Sequence, residues 1–263
     1  MEYLYKYREM SKNHLDALGR RKLWFSVGNC FNDPFDCTLN VPIKLMTGSS
    51  ALKFVENEPS MKKFKSIDTN ILALNLINNA MQLIESGSID EHPLNGVLNI
   101  VSSSLRRSFV CCFSKNATNQ LLWSHYAQRH TGYCIRYKRD ILLESLNLHS
   151  HGDVIYNDDP IDLLTEVTDK ANLANKVIYR KASCWSYEDE VRLIHADISE
   201  NPIDKYRECE YPDDAIDCII LGYNFDMSRL DELKEKSSND NIIFKKIVRS
   251  KNSYSLYVSP ERL

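Results

Sequence analysis

Apolar positions in this chain switch between a period of two and a period near 3.6, and the switches divide it into elements. Residues 3–8 alternate and predict a strand; residues 11–20 follow with helical spacing, Ser11 standing as the cap and Gly19 near the end. A second strand is expected at 23–26. It leads into a loop at 31–36 whose turn formers Asn32, Asp33 and Pro34 are anchored by Phe31 and Phe35. Over 66–86, Ile71, Leu72, Leu76, Ile77, Met81 and Ile84 recur at three- and four-residue steps and predict a helix, with 98–105 as its packing partner. The stretch 47–65 is polar and weakly patterned, so it predicts a mobile insertion. With no linker that would cut the chain, 1–263 reads as a single domain carrying a helical insertion around 47–107.

The segment 108–114 is β-prone and uncharged and predicts a buried strand of a central sheet. Asn119 is placed to cap a helix running to Arg129, Gly132 to end it, and 133–137 to begin another strand. Helices are expected at 162–181 and 228–236, and strands at 191–195, 216–221, 242–247 and 253–258. Strands and helices mix without a strict βαβ alternation, so the fold class is α+β.

Composition narrows the picture. The chain has 263 residues, 43% hydrophobic, 10% aromatic and 26% charged, which excludes collagen, coiled coil and wholesale disorder. Its net charge of −3 offers no global attraction to phosphate backbones, so a nucleic-acid partner needs a local basic patch. No apolar run approaches the ~20 residues that span a bilayer, and the start lacks the cationic and apolar regions of a secretory signal. The expectation is a cytoplasmic protein with no membrane partner. Eight cysteines occur without a CxxC pair and fit buried thiols better than a zinc grip. No GxxxxGK[ST], GxGxxG or GxSxG occurs, so any nucleotide bound here is held by side chains.

Three places could carry chemistry. On a strand, Glu188, Glu190 and Arg192 would project from one face while Tyr187, Val191 and Leu193 project from the other. That spacing fits a solvated strand edge with an ion pair, or a site in which one carboxylate supports a developing positive charge and the other orients a hydroxyl. His125 falls beside Leu121 and Leu122 on its predicted helix, as a hydrogen-bonded core histidine or as a donor to substrate or carboxylate. On the first strand, Lys6 and Arg8 share one face and Tyr5 and Tyr7 the other, a combination that can grip a pyrophosphate and stack a ring and is also that of an ordinary edge strand.

These segments, in order, are LYKYR at 4–8, LWFS at 23–26, FNDPFD at 31–36, CFS at 112–114, LWSHYA at 122–127 with His130 and GYCI at 132–135, then Lys181 and WSYEDEVR at 185–192. Their order and spacing resemble the bacterial and phage domain-of-unknown-function family 2971. More distantly, an opening strand with Arg, a strand ending in Phe-Ser and a late strand with Glu-x-Glu look like the ADP-ribosyltransferase architecture, a split mixed sheet that holds NAD in a cleft. That resemblance implies an NAD-dependent ADP-ribosyltransferase, plausible as a toxin or phage-defence effector, with NAD as co-substrate. Glu190 and Glu188 would be catalytic, with His125 as a further polar candidate. Tyr7, Arg8, Ser26, Asn32, Phe113 and Ser114 would bind the dinucleotide. It also implies a macromolecular acceptor, nucleic acid or protein, and leaves room for a cognate antitoxin or regulator. Two alternatives stand beside it: a non-enzymatic binding or sensor module, and a metal-dependent hydrolase or nuclease built on His125, Asp33 and Glu190.

Overall fold

The computed structural model describes residues 2–38, 48–64, 66–86, 95–159, 161, 170–197, 205–237 and 241–263. They form two compact units, one of Met1–Ser26, Phe109–Val154 and Cys184–Leu263, the other of Val27–Ser108 and Ile155–Ser183.

The first unit is built on a mixed sheet. Its strands are β1 (Tyr3–Arg8), β2 (Lys22–Val27), β3 (Ser108–Ser114), β4 (Tyr133–Lys138), β5 (Ser150–Asp153), β8 (Glu190–Ala196), β9 (Tyr206–Glu210), β10 (Ile216–Leu221), β11 (Ile243–Arg249) and β12 (Leu256–Val258). They lie in the order β12-β11-β10-β4-β1-β3-β2-β9, and β8 also pairs with β3 and carries β5 on its other side. A strand has two edges, so the three partners of β3 fork the sheet there. Only β10 and β11 run parallel among the paired strands whose register is defined in this unit. With helices α1 (Lys12–Gly19), α5 (Gln120–Tyr126), α6 (Arg139–Ser145) and α8 (Leu230–Ser237) around this sheet, the class is α+β, as its pattern predicts.

The second unit holds α2 (Gly48–Asn57), α3 (Thr69–Ser86), α4 (Asn95–Arg106), α7 (Lys170–Ile178) and a parallel pair, β6 (Ile155–Tyr156) with β7 (Arg180–Lys181). Its core gathers Ala51, Phe54 and Val55 of α2 with Ala73 and Leu76 of α3, Val101 of α4 and Leu173 of α7. The polar stretch from 47 is therefore corrected: α2 buries Ala51, Phe54 and Val55 at helical steps and packs on α3, while Val101 of α4 joins the same core as Ala73 and Leu76 of α3 and α4 also packs on α7. Four apolar residues, with Leu52 half-buried against the same core, suffice for this, and the exposed residues are its solvent face.

Two helix ends depart from the expected chemistry. Ser11 precedes α1 without a side-chain cap, and the left-handed residue after the helix is Arg21 (φ 52°) rather than a glycine. Asn119 does cap α5, its side chain accepting from the amides of Leu121 and Leu122, but the helix stops at Tyr126 rather than Arg129. Gln128, Arg129 and His130 then take φ of 50°, 55° and 68°, one left-handed turn that only external bonds can hold. The His130 amide donates to the Trp123 carbonyl at 3.1 Å and the Gly132 amide to the Ala127 carbonyl at 2.9 Å. The turn brings the chain back so tightly that a Cβ on Gly132 would lie 2.1 Å from the Arg8 carbonyl oxygen.

Gly132→Ala is expected to destabilise the protein by about 1–3 kcal/mol, because backbone on both sides leaves nothing to yield. Gly48→Ala, where a Cβ meets nothing within 4 Å, serves as the control and should leave the thermal midpoint nearly unchanged.

Candidate functional site

The late acidic segment is not one strand. A 3-10 helix, Ser183–Glu188, ends on the first carboxylate, Asp189 takes φ 43°, and β8 begins at Glu190. The expectation that Glu188, Glu190 and Arg192 project together from a strand is corrected accordingly: Glu190 and Arg192 do, and Glu188 is carried by the turn before them. Lys115 holds that turn, its amide donating to the Asp189 carbonyl at 2.9 Å and its ammonium lying 3.0 Å from Asp153 and 3.1 Å from Asp189. Ser114 Oγ donates to the Glu188 carbonyl at 2.7 Å, so the Phe113-Ser114 strand end binds the turn directly.

Both carboxylates are buried, Glu188 at 5% and Glu190 at 4% exposure, which rules out a solvated strand edge. Arg192 is wholly buried and forks onto Glu190, Nε to Oε1 at 2.8 Å and an Nη to Oε2 at 3.2 Å, the geometry that makes such pairs strong. The Cys112 thiol on β3 hydrogen-bonds the Glu190 carboxylate and is held well above its usual range, by desolvation of the sulfur first and then by the Glu190 charge. Glu188 Oε1 accepts from the Tyr126 hydroxyl at 2.7 Å, which ties the end of α5 to the turn. The arrangement can present two adjacent carboxylates, one balanced by a guanidinium and one oriented by a phenol.

The faces of the sheet decide which other residues join them. Directly opposed residues of neighbouring strands share a face. Tyr5 opposes Ser114 on β3, and Tyr5 and Tyr7 oppose Arg136 and Cys134 on β4. Cys112, two residues before Ser114, therefore lies on the Tyr5 and Tyr7 face, and through its thiol so does Glu190. Lys6 and Arg8, opposite Ile135 and Tyr133, lie on the other face. There Lys6 sits 5.1 Å from the Phe113 ring centre, and Phe113 packs edge-on to Tyr137 at 5.6 Å. The basic pair of the first strand and the late carboxylates are thus back to back.

The remaining candidates scatter. Tyr7 keeps the carboxylate face but is a core residue: its ring is edge-on to Trp123 at 5.1 Å, its hydroxyl donates to the Asn116 carbonyl at 2.6 Å, and burial pushes its pKa far up. It does not offer a free ring. Phe113, expected to stack a nicotinamide, is likewise core and on the Arg8 face. Ser26 lies opposite Tyr206 on the β2–β9 edge, and Asn32 is exposed in the second unit. His125, expected beside apolar neighbours, is exposed and faces Tyr187 at 6.4 Å with rings tilted by 37°. Tyr126 and Cys112, which the spacing of charged residues does not mark, join the site. Their partners are 62 and 78 positions away, and only the pairing of β3 with β8 and the docking of α5 bring them in.

Arg8 shapes the opposite face instead. With Lys6 it acts on His14 of α1, whose pKa falls to about 4, by burial first and then by these cations.

Among the described residues no group of three or more His, Cys, Asp or Glu is placed to hold a metal ion, and no helix is long and apolar enough to cross a membrane. The fold and site together are those of an α+β protein with a buried carboxylate pair at the fork of its sheet. The model of the family described as Protein of unknown function (DUF2971) matches residues 122–193, the stretch running from α5 through β4 to the Glu190–Arg192 pair. The match bears out, over that stretch, the family resemblance read from the sequence. No curated protein and no solved structure matches the chain.

Arg192→Leu is expected to cost about 3–5 kcal/mol in urea unfolding because it strands a buried carboxylate, and adding Glu190→Gln should recover part of that loss. A pH series tests His14. Its folded pKa lies below the unfolded value of 6.5, so its contribution is present above pH 6.5 and is lost as pH falls toward 4. His14→Gln should flatten the decline in melting temperature over that window.

Proposed function

We propose that the chain is an NAD-using ADP-ribosyltransferase, with a split-sheet core of that kind, acting on a macromolecular acceptor as a toxin or phage-defence effector. The observation that supports this is that β8 pairs with β3 and β3 with β1, which sets Glu190 beside the strand ending in Ser114 and that strand beside the opening one. Breaking the bond between nicotinamide and ribose sends the bonding electrons out with nicotinamide and leaves positive charge at the ribose carbon. A fixed carboxylate nearby lowers that barrier electrostatically. Glu190 takes this part, oriented by the forked contact from Arg192. Glu188, positioned by Tyr126, accepts the proton that the acceptor nucleophile gives up as its new bond to the ribose carbon forms. Arg8 has no part in this reading, since it occupies the other face; Arg192 is the cation beside the carboxylates.

A second reading, a non-enzymatic binding or sensor module with a cognate antitoxin or regulator, is favoured by one observation. Glu190 is already bound by a guanidinium and only 4% exposed, as a purely structural ion pair would be.

Purified protein incubated with NAD and cell lysate is expected to release nicotinamide. Glu190→Gln and Glu188→Gln should each slow release by about 100-fold or more, and Arg8→Gln should not. Thermal melts establish which variants fold, and Glu188→Gln carries the test if Glu190→Gln does not. Saturating NAD, near 100 times its dissociation constant, should stabilise the protein by about 2.7 kcal/mol. Wild-type turnover by folded Glu190→Gln and Glu188→Gln variants, or no stabilisation and no release in the wild type, overturns the transferase in favour of the binding module.

A further inference from the structure

The C-terminal edge of the sheet differs in charge from the rest of the chain. Residues 241–263 carry five cations, Lys245, Lys246, Arg249, Lys251 and Arg262, against one carboxylate, Glu261, in a protein whose net charge is −3. None of the five cations is in an ion pair among the described residues. The same edge exposes rings: Tyr254 at 103%, Tyr257 at 48% and Tyr223 at 36%. Arg249 lies over the Tyr223 ring at 4.8 Å, and on β12 Leu256 opposes Arg249 while Tyr257 opposes Val248. The turn is closed by the Ser250 amide donating to the Ser255 carbonyl at 2.9 Å, which puts Lys251 and Tyr254 on its solvent-facing tip.

That tip is tied to a second line of rings. Gln120 Nε2, at the start of α5, donates to the Tyr254 carbonyl at 2.7 Å. His125, near the other end of the same helix, is exposed. It faces Tyr187 at 6.4 Å, and Tyr187 faces Trp185 at 6.0 Å with rings tilted by 39°. Exposed rings interleaved with cations are the combination that binds a flexible polyanion carrying flat faces: cations meet phosphates and rings stack on bases.

We propose that this edge, from Tyr223 and Arg249 across the Lys251–Tyr254 tip to His125 and Tyr187, binds single-stranded nucleic acid. The partner is a single strand because an exposed ring such as Tyr254 can stack on an unpaired base, whose face a duplex conceals, while the neighbouring cations meet the phosphates. The inference does not depend on transferase activity and is tested without NAD.

Fluorescence anisotropy of the full chain with a labelled oligo-uridine or oligo-thymidine of roughly 12 nucleotides reads the binding. Binding is expected at low ionic strength and should weaken steeply as salt rises. Lys251→Glu and Tyr254→Ala, both exposed and expected to leave the melting temperature unchanged, should together weaken it by about tenfold or more. Trp185→Ala should weaken it without altering the salt slope, since it removes stacking and no charge. Three outcomes overturn the proposal: no binding by the wild type, wild-type affinity in the Lys251→Glu, Tyr254→Ala variant, or binding to a duplex, to polyglutamate or to phosphatidylserine vesicles at least as tight as to the strand.

Discussion

The buried pair of Glu190 and Arg192 constrains everything around it. Two opposite charges removed from water are tolerable only if their geometry is close to ideal and their remaining hydrogen-bonding groups find partners. The forked contact supplies the first condition, and the Cys112 thiol supplies part of the second. Because Cys112 is on β3 and the pair is on β8, the pair helps fix how those two strands lie together, and the Ser114 hydroxyl at the end of β3 separately holds the turn that carries Glu188. The carboxylate that an enzyme would use and the ion pair that the fold needs are therefore the same group.

The back-to-back placement of the first strand and the late strand follows from pleating alone. Adjacent strands in a sheet present alternate residues to each face, so being neighbours does not bring any chosen pair of side chains together. Lys6 and Arg8 line the His14 and Phe113 face, and Tyr5 and Tyr7 line the carboxylate face. A one-residue difference in register would have exchanged these sets. The fork of the sheet at β3 is what lets β8 pair with that strand in addition to β1 and β2.

How much of this was legible beforehand depended on the range of the interaction involved. Strands β3, which is uncharged, and β10, whose one charged residue is Asp217, have the bounds expected of them, because a run of apolar residues decides a largely buried strand locally. The α2 helix was not legible, since only Ala51, Leu52, Phe54 and Val55 meet the core and the rest read as loop. The end of α5 is not legible because a left-handed turn of Gln, Arg and His has no sequence signal; the bonds that His130 makes back to Trp123 and across to Asn224 impose it. Glu188, Glu190 and Arg192 could be singled out from spacing. Tyr126, Cys112 and the face on which Arg8 lies could not, because each is set by strand pairing between distant segments.

The turn at Gln128, Arg129 and His130 has a consequence for how this protein tolerates change. Three successive side chains held in the mirror-image helical conformation each cost about 1–2 kcal/mol, a sizeable fraction of the about 5–15 kcal/mol by which a typical domain stays folded. The remainder of the unit must supply that difference. Positions 128–130 are accordingly a reserve: a glycine or asparagine there would relax the backbone, and the stability released would widen the range of substitutions that the carboxylate site could accept elsewhere.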